Sequence, residues 1–264
     1  MNYLLPMAGK GERFLAGGYT LPKPLLPIVD YHTGNEVPMV LAAAKDFPNI
    51  SATSNIVFID RDLHKSYGIH DVIRKDFHHA YFLTLAELTE GTVPTCLRAE
   101  HLINLEEELF IGSCDSGMMY SLRLFNEAKK NVDVLIFTHR NHEAAVVHPE
   151  CYGWVRTDRL DNVLNVSVKK PISDQPLNDH VVAASFWYRK ASFFFESAKN
   201  MITALDKVNN EYYVDQSINY CLRGGLKVKV FEVDKFFNWG SPEDYENYQK
   251  TIKYWQRFNE QFKP

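Results

Sequence analysis

The residues with the clearest capacity for chemistry lie near the amino terminus, where a short apolar run leads into a glycine-rich turn. Gly9 and Gly11 let backbone N–H groups approach an anion closely, because glycine carries no Cβ. Arg13 follows directly and can donate to two phosphate oxygens at once. Lys23 adds a point charge, and the proline on either side of it restricts the backbone that aims it. This combination predicts a site for the phosphates of a nucleoside triphosphate.

The glycine turn departs from two common nucleotide-binding patterns. Phe14 stands where the dinucleotide fingerprint has its third glycine, and no Gly-Lys-Ser/Thr follows as it would in a Walker A loop. A glycine-rich turn after a strand is, by itself, as consistent with a structural role as with ligand binding. The segment Leu-Pro-Lys-Pro around Lys23 shifts the balance towards phosphate binding.

A carboxylate that could hold a metal ion follows a second apolar run. Asp115 comes shortly after a predicted strand over residues 108–112. Ligands of open α/β sheets bind beyond the carboxyl ends of the strands, and magnesium prefers a few carboxylates together with phosphate oxygens and water. Asp115 is therefore predicted to hold Mg²⁺ against the triphosphate, with the shaping of a turn as its alternative role.

The elements that must position these residues alternate in the first half of the chain. Strand-like and helix-like segments follow one another there, which predicts an α/β fold with a Rossmann-like mixed, mostly parallel sheet and helices on both faces. The predicted strands cover residues 2–5, 25–29, 55–59, 80–85, 108–112 and 132–137, and the predicted helices lie near residues 39–47, 92–101 and 121–130.

The second half of the chain changes in style. Its predicted elements are a hairpin of residues 152–157 and 163–168, strands at 180–188 and 226–230, and helices at 191–205 and 212–223. Gly224 is expected at the C′ position of the second helix. Ser241 and Pro242 form a strong helix start, with a hydroxyl cap followed by proline at the first helical position.

These elements predict a single domain with two functional parts. Residues 1–240 are expected to form that domain, with a nucleotide-binding lobe over about 1–135 and an acceptor-binding lobe over 136–240. Residues 241–264 are expected to contain a C-terminal helix packed on the same domain.

Composition argues against several classes of protein. The 264 residues carry a net charge of −4, whereas a general nucleic-acid binder would show a basic excess. Four scattered cysteines without CxxC spacing argue against a disulfide scaffold or a zinc ribbon. No stretch approaches the ~20 apolar residues that span a bilayer. We expect a cytoplasmic protein that binds neither nucleic acid nor membrane, and the sequence leaves homo-oligomer formation open.

In combination, the motifs resemble those of the nucleotidylyltransferases that join a nucleoside monophosphate to a sugar 1-phosphate or a similar phosphorylated acceptor. Three further segments follow the order of that family. Glu90-Gly91-Thr92 resembles its base-and-ribose loop, Lys169-Lys170-Pro171 resembles its Glu-Lys-Pro segment, and residues 240–244 resemble the start of its C-terminal helix. The resemblance extends from the first residue to about residue 248.

The resemblance implies a nucleotidyltransferase fold of the GT-A-like type, with an NTP and a phosphorylated small molecule as substrates and pyrophosphate as a product. The expected biological use is the synthesis of surface polysaccharide precursors. The implied catalytic residues are Arg13, Lys23 and Asp115, and the implied cofactor is Mg²⁺ held by Asp115 and Asn238. The residues implied in nucleotide and acceptor binding are Ala8, Gly9, Gly11, Glu90, Gly91, Thr92 and Lys170.

Departures from the family pattern leave the base and the acceptor open. Asn238 stands where thymidylyl- and uridylyl-transferases have a second metal-binding aspartate, and restoring aspartate there is expected to tighten metal binding. The Gln-Pro pair that often precedes the base-loop glycine is absent. The alternatives are a cytidylyltransferase with a non-sugar acceptor, a GT-A-type glycosyltransferase, and a catalytically silent nucleotide-binding regulator. The segment from Glu211 to Asp215 fits either an acceptor contact or a helix start.

Overall fold

A computed structural model describes residues 1–261, and the central strands form in the apolar runs of the sequence. The strands are β1 (Asn2–Pro6), β2 (Pro27–Val29), β3 (Glu36–Pro38), β4 (Ile56–Arg61), β5 (Tyr81–Leu85), β6 (Leu109–Ile111), β7 (Ser116–Met119), β8 (Val134–His139), β9 (Gly153–Thr157), β10 (Val163–Val168), β11 (His180–Tyr188), β12 (Val228–Glu232) and β13 (Lys235–Asn238). The helices are α1 (Glu12–Ala16), α2 (Met39–Lys45), α3 (Asp62–Lys65), α4 (Ile69–Arg74), α5 (Thr92–Leu97), α6 (Leu122–Ala128), α7 (Glu143–Val147), α8 (Ala191–Thr203), α9 (Val214–Arg223) and α10 (Pro242–Gln261).

Nine of these strands form one mixed sheet. Its order is β10-β9-β11-β6-β1-β4-β5, and β8 joins β11 to β12. Strands β6, β1, β4 and β5 run parallel to one another, whereas β11 pairs antiparallel with β6, β8 and β9. This arrangement confirms the predicted Rossmann-like sheet. It also brings the carboxyl ends of β1, β4 and β6 to one edge, where the glycine turn and Asp115 begin.

Helices cover both faces of the sheet. This is required because the central strands carry apolar side chains at successive positions. Along β1, Leu4 packs into a core with α5, α8 and α9, while Tyr3 and Leu5 pack into a second core with α2, α4 and α6. Side chains of a strand point alternately to the two faces, so helices on both sides are needed to cover such a run. The central strands therefore hold the loops at their ends on a rigid base.

A short antiparallel ribbon of β7 and β13 lies outside the main sheet and connects distant parts of the chain. Ser116 pairs with Asn238, and the Trp239 amide donates to the Asp115 carbonyl at 2.9 Å. Helix α10 continues from this ribbon and is tied to β2, where the Tyr245 and Tyr248 hydroxyls donate to backbone carbonyls at 2.5 and 2.7 Å. Helix α10 thus lies against the amino-terminal region.

Several predicted elements differ in type or bounds from the structure. The strand expected over residues 25–29 is a 3₁₀ turn, Lys23–Leu25, followed by β2, because the Leu26 amide bonds back to the Lys23 carbonyl at 3.1 Å. The helix expected over residues 92–101 ends at Leu97 and is followed by a second 3₁₀ turn, Glu100–Leu102. The helix expected to begin at residue 212 begins at Val214.

The placement of Gly224 at C′ was wrong by one residue. Gly224 has a φ of −76° and is the C-cap of α9, whereas Gly225 has a φ of +79° and occupies the left-handed position. The C-terminal helix is present as α10, and residues 262–264 of the predicted segment lie outside the described residues. Within residues 1–261, no helix is both long enough and apolar enough to cross a membrane.

Candidate active site

A cleft of about 840 Å³ opens at the carboxyl ends of the parallel strands. It is bordered by the loop after β1, the turn around Lys23, the loop before α5, the loop between β6 and β7, and residues of β9, β11 and the start of α9. The residues predicted for the site that line this cleft are Ala8, Gly9, Gly11, Arg13, Lys23, Gly91, Thr92 and Asp115. Segments separated by more than a hundred residues therefore meet in one space.

The glycine turn borders the cleft, and the buried aromatic residue that follows it fixes its position. Phe14 is buried, and its amide donates to the Gly11 carbonyl at 3.0 Å. Gly11 has a φ of +67°, a conformation that favours glycine. A Cβ on Gly9 would meet no atom within 4 Å, so the backbone at that position faces open space. No side chain or backbone therefore obstructs this part of the turn.

The charged centre of the cleft is an ion pair between Lys23 and Asp115. The Lys23 Nζ lies 2.5 Å from Asp115 Oδ2, and the two side chains are 20% and 25% exposed. The Ser113 hydroxyl donates to the other carboxylate oxygen, Oδ1. The predicted cation and the predicted metal ligand are thus in direct contact, although 92 positions separate them in the chain.

The pKa values of this pair move in the directions expected of an ion pair. Burial alone disfavours both charges, but Lys23, the Ser113 hydroxyl and Arg13 together lower the pKa of Asp115 below its ordinary value. Burial likewise opposes the charge on Lys23, and the Asp115 carboxylate outweighs it and raises the pKa of the lysine. Both groups therefore stay charged at neutral pH, which a phosphate and metal site requires.

Asn238 lies next to Asp115 because the β7–β13 ribbon pairs the segments that carry them. A Cβ placed on Gly240 would lie 3.1 Å from Asn238 Oδ1 and 3.4 Å from Asp115 Oδ2. Both oxygens thus border the small space that the missing side chain leaves. Carboxylate and amide oxygens are ligands that suit Mg²⁺, so these residues fit a magnesium site. Residues 1–261 contain no group of three or more acidic, histidine or cysteine side chains arranged for a metal, so phosphate and water oxygens would complete the coordination.

The loop before α5 is fixed by backbone contacts with Tyr212, shortly before α9. The Tyr212 amide donates to the Glu90 carbonyl at 2.8 Å, and the Val93 amide donates to the Tyr212 carbonyl at 3.0 Å. The Glu90 side chain lies away from the cleft lining and pairs with Lys207 at 2.8 Å. Glu90 therefore shapes the loop through its backbone, while Gly91 and Thr92 face the cleft.

Gly91→Ala is expected to lower the free energy of unfolding by ~3 kcal/mol or more. Gly91 has a φ of +112°, and a Cβ there would lie 2.7 Å from both the backbone N and O of Tyr212. The matched control is Gly18→Ala. Gly18 has a φ of +82°, but a Cβ there would meet no atom within 4 Å, so this variant should lose ~1–2 kcal/mol of unfolding free energy from backbone strain alone. Urea denaturation measures both, and equal losses in the two variants would contradict the close packing of the loop against Tyr212.

The two lysines of the Lys-Lys-Pro segment have different surroundings in the structure. Lys170 is exposed and does not line the cleft among the described residues. The Lys169 ammonium lies 5.4 Å from the ring centroid of Tyr213, which does line the cleft. A positive φ of +63° at Lys169 turns the chain at this point. Lys169, which the sequence did not single out, lies beside a residue of the cleft lining, and neither lysine lines the cleft itself among the described residues.

Asp215, in the segment that runs from Glu211, is partly buried, lines the cleft and also stands in the first turn of α9. A Cβ on Gly153 would lie 2.2 Å from Asp215 Oδ2, so the carboxylate fills the space that glycine leaves. Burial raises the pKa of Asp215 to about 6, partly offset by its hydrogen bond from the Gln216 amide and by the charge of Lys169. The Asp215 carboxylate therefore binds a proton more readily than an exposed aspartate does.

Asp215→Asn is expected to stabilise the protein at high pH only. A carboxyl with a raised pKa binds its proton more tightly in the folded chain, so its stabilising contribution is present at low pH and is lost as the pH rises through about 6. The variant should match the wild type near pH 4 and exceed it by about 2 kcal/mol near pH 8. Urea denaturation at the two pH values measures this difference.

Asp158→Asn is the control of opposite sign. The Asn162 side chain and the Leu160 amide lower the pKa of the exposed Asp158, so its contribution is present at neutral pH and is lost on acidification. That variant should therefore be the less stable one near pH 8. A gain in stability for Asp215→Asn that is the same at both pH values would contradict the raised pKa.

Two residues that hold the predicted metal ligands were missed by sequence reasoning. Ser113 donates to Asp115 from two positions earlier, a local hydroxyl–carboxylate pattern that the sequence displays. Tyr152 receives a hydrogen bond from the Asn238 amide at 3.3 Å, but 86 positions separate the two residues, so no local signal indicates this contact.

Neither a protein-family model nor a curated protein matches the chain. Solved structures do: the chain is similar to a nucleoside-diphosphate-sugar pyrophosphorylase from Vibrio cholerae RC9, with a TM-score of 0.75 and 16% identity over 94% of this chain and 99% of that one. It is also similar to a UDP-glucose pyrophosphorylase complexed with UDP-glucose (TM-score 0.72, 18% identity, 97% and 98% covered). A third is the inositol-1-phosphate CTP transferase from T. maritima (TM-score 0.64, 14% identity, 96% of each chain covered). At these identities the likeness is one of fold, and it confirms the predicted nucleotidyltransferase fold.

Proposed function

We propose that this chain is a nucleotidylyltransferase that transfers a nucleoside monophosphate from an NTP to a phosphorylated acceptor, with a sugar 1-phosphate as the leading candidate. One observation carries the proposal. The glycine turn, Lys23 and Asp115 border the same cleft, in a chain whose fold is that of pyrophosphorylases and a CTP transferase. Phosphate-binding backbone, cation and metal ligand are the parts that such a transfer needs.

In the proposed reaction, a phosphate oxygen of the acceptor attacks the α-phosphorus of the NTP in line and pyrophosphate leaves. A phosphate monoester has a second pKa of ~6, so near neutral pH the attacking phosphate is already largely the dianion. No general base is then required. The cleft instead has to bring two polyanions together and stabilise the charge that builds on the leaving pyrophosphate.

The positive charges of the cleft meet that requirement. Two like charges ~4 Å apart repel by about 4 kcal/mol at an effective dielectric constant of about 20. Arg13 and Lys23 would bind the phosphates, with the glycine turn adding backbone N–H donors. Mg²⁺ held by Asp115 and Asn238 would neutralise phosphate charge when bound. Lys23 would then contact both the carboxylate and the phosphates, which fixes it in place.

The acceptor would lie on the side of the cleft formed by the second lobe. Asp215 can accept hydrogen bonds from hydroxyl groups there, and Tyr213 offers an aromatic face. Lys169 is better placed than Lys170 to contribute a positive charge, because it lies over Tyr213. A hydroxylated acceptor is favoured by this lining, in keeping with the sugar and inositol compounds in the neighbours' names. Mg²⁺ dependence, cytoplasmic location and a role in surface polysaccharide synthesis remain predictions.

The test is a matrix of the common NTPs against sugar 1-phosphates, inositol 1-phosphate and phosphocholine, with Mg²⁺ present and pyrophosphate as the readout. Pyrophosphate that depends on both an NTP and one acceptor supports the proposal and identifies both substrates. NTP binding in a parallel calorimetric titration, without turnover across the matrix, would favour a silent regulator. In a separate incubation with nucleotide sugars, release of a nucleoside diphosphate would favour a glycosyltransferase.

A further inference from the structure

The amide of Asn238 is held on both sides by residues of the chain. Its oxygen, Oδ1, accepts a hydrogen bond from the Gly240 amide at 3.0 Å and borders the same space as Asp115. Its nitrogen, Nδ2, donates to Asp244 Oδ2 at 2.8 Å and to the Tyr152 hydroxyl at 3.3 Å. The two ends of the amide are therefore distinguished by their partners, because a carboxylate accepts hydrogen bonds only from the nitrogen.

Asp244 is itself fixed in position. It stands in the first turn of α10, where the Ser241 hydroxyl donates to its Oδ2 at 2.6 Å and its own amide donates to the Ser241 oxygen at 3.2 Å. Six positions separate Asp244 from Asn238, and the turn through Gly240 brings their side chains together. The carboxylate thus sits behind Asn238, on the opposite side of the amide from Asp115.

We propose that Asp244 is a positioning residue for a divalent cation bound between Asp115 and Asn238, and that Asn238 and Asp244 act as one unit. The Asp244 carboxylate holds Nδ2, so Oδ1 must face the space at Gly240. The Asp244 carboxylate also places a negative charge one hydrogen bond away from the amide at position 238, which is itself neutral. Residues that orient a metal ligand in this way commonly change metal affinity ~10–100-fold when they are lost.

The same contacts predict how an aspartate at position 238 alone would affect the stability of the metal-free protein. Its second oxygen would replace Nδ2 and face Asp244 across a hydrogen-bond distance, so two carboxylates would repel each other without a metal present. Asn238→Asp alone should therefore destabilise the metal-free protein. Exchanging the two residues, as Asn238→Asp with Asp244→Asn, should restore the donor–acceptor pair in the opposite sense.

The ordinary alternative is that Asp244 only stabilises the start of α10, as acids in a first helical turn do. Glu243, the exposed neighbouring acid of the same turn, is the matched control for that role. Glu243→Gln removes the same charge from the same helix end without touching the Asn238 amide. The two roles therefore predict different results for the two variants.

The experiment compares the wild type with Asn238→Asp, Asp244→Asn, the double exchange and Glu243→Gln. Thermal unfolding without metal gives the first readout. We expect Asn238→Asp to have the lowest Tm of the set and the double exchange to recover most of the loss. If Asn238→Asp melts like the wild type, the two side chains are not coupled and the proposal is overturned.

Titration of each full-length protein with Mn²⁺ alone, followed by electron paramagnetic resonance, gives the second readout. Asp244→Asn should weaken Mn²⁺ binding about tenfold, and Glu243→Gln should leave it within about twofold. Equal Mn²⁺ affinity in Asp244→Asn and the wild type overturns the positioning role. The metal role rests on the proposed function, but failure of the inference alone would leave Mn²⁺ binding and pyrophosphate release by the wild type intact.

Discussion

Lys23→Ala is expected to reduce pyrophosphate release by ~10²–10³-fold while the fold is kept. The Lys23 ammonium is part-buried, contacts Asp115 at 2.5 Å and lines the same cleft as the glycine turn. Its loss removes a positive charge from a site that must hold two polyanions, where each charge counts more than it does in bulk water. The measurement is kcat and KM for the NTP and acceptor identified by the substrate matrix, with circular dichroism as the check on folding.

The matched control for Lys23 is Lys45→Ala. Lys45 pairs with Asp76 at 2.8 Å, and the two side chains are 31% and 32% exposed, so the ion pair is similar in burial but lies outside the cleft lining. That variant should lose some stability and keep its turnover. Near-wild-type turnover in Lys23→Ala would remove Lys23 from the catalytic residues, whatever the stability data show.

Asp115→Asn is expected to lower turnover to a similar degree and to raise the Mg²⁺ concentration needed for half-maximal rate. Asparagine keeps the shape of the side chain but removes its charge, so Lys23 loses the partner that raises its pKa. A neutral amide also binds a divalent cation more weakly than a carboxylate does. A Mg²⁺ titration of the rate separates the two effects. A high Mg²⁺ concentration offsets weaker metal binding, but it does not restore the charged partner of the lysine.

Asp76→Asn is the control for Asp115, since it breaks the corresponding ion pair with Lys45 outside the cleft. Its Mg²⁺ dependence should match that of the wild type. An unchanged Mg²⁺ titration for Asp115→Asn would place the metal elsewhere, and the assignment of Asp115 as a ligand would then be abandoned.

Much of the sheet was predictable because burial on both faces leaves continuous apolar runs. The strand predicted over 180–188 matches β11 in both bounds, and the segments predicted over 2–5, 55–59 and 80–85 are β1, β4 and β5 within about two residues. The β7–β13 ribbon could not be predicted, since strands of four residues carry no clear periodicity. That ribbon is nevertheless what places Asn238 beside Asp115.

Site residues that belong to local sequence motifs could be predicted. Which of two adjacent residues lies near the cleft depends on the fold and could not be predicted. The glycine turn, Lys23 and Asp115 were named from short patterns, and the structure brings them into one cleft. Which of the two lysines lies beside the cleft-lining Tyr213 could not be predicted, because the positive φ of Lys169 has no signal in the sequence. Asp215 owes its raised pKa to burial against Gly153, far away in the chain.

The most direct test of the account is a crystal structure with Mn²⁺ and a non-hydrolysable analogue of the preferred NTP. We expect the triphosphate to receive backbone hydrogen bonds from the turn at Gly9 and Gly11 and a contact from Lys23, with Mn²⁺ bound to an Asp115 oxygen. A triphosphate bound away from that turn, or a Mn²⁺ site without Asp115, would contradict the central claim.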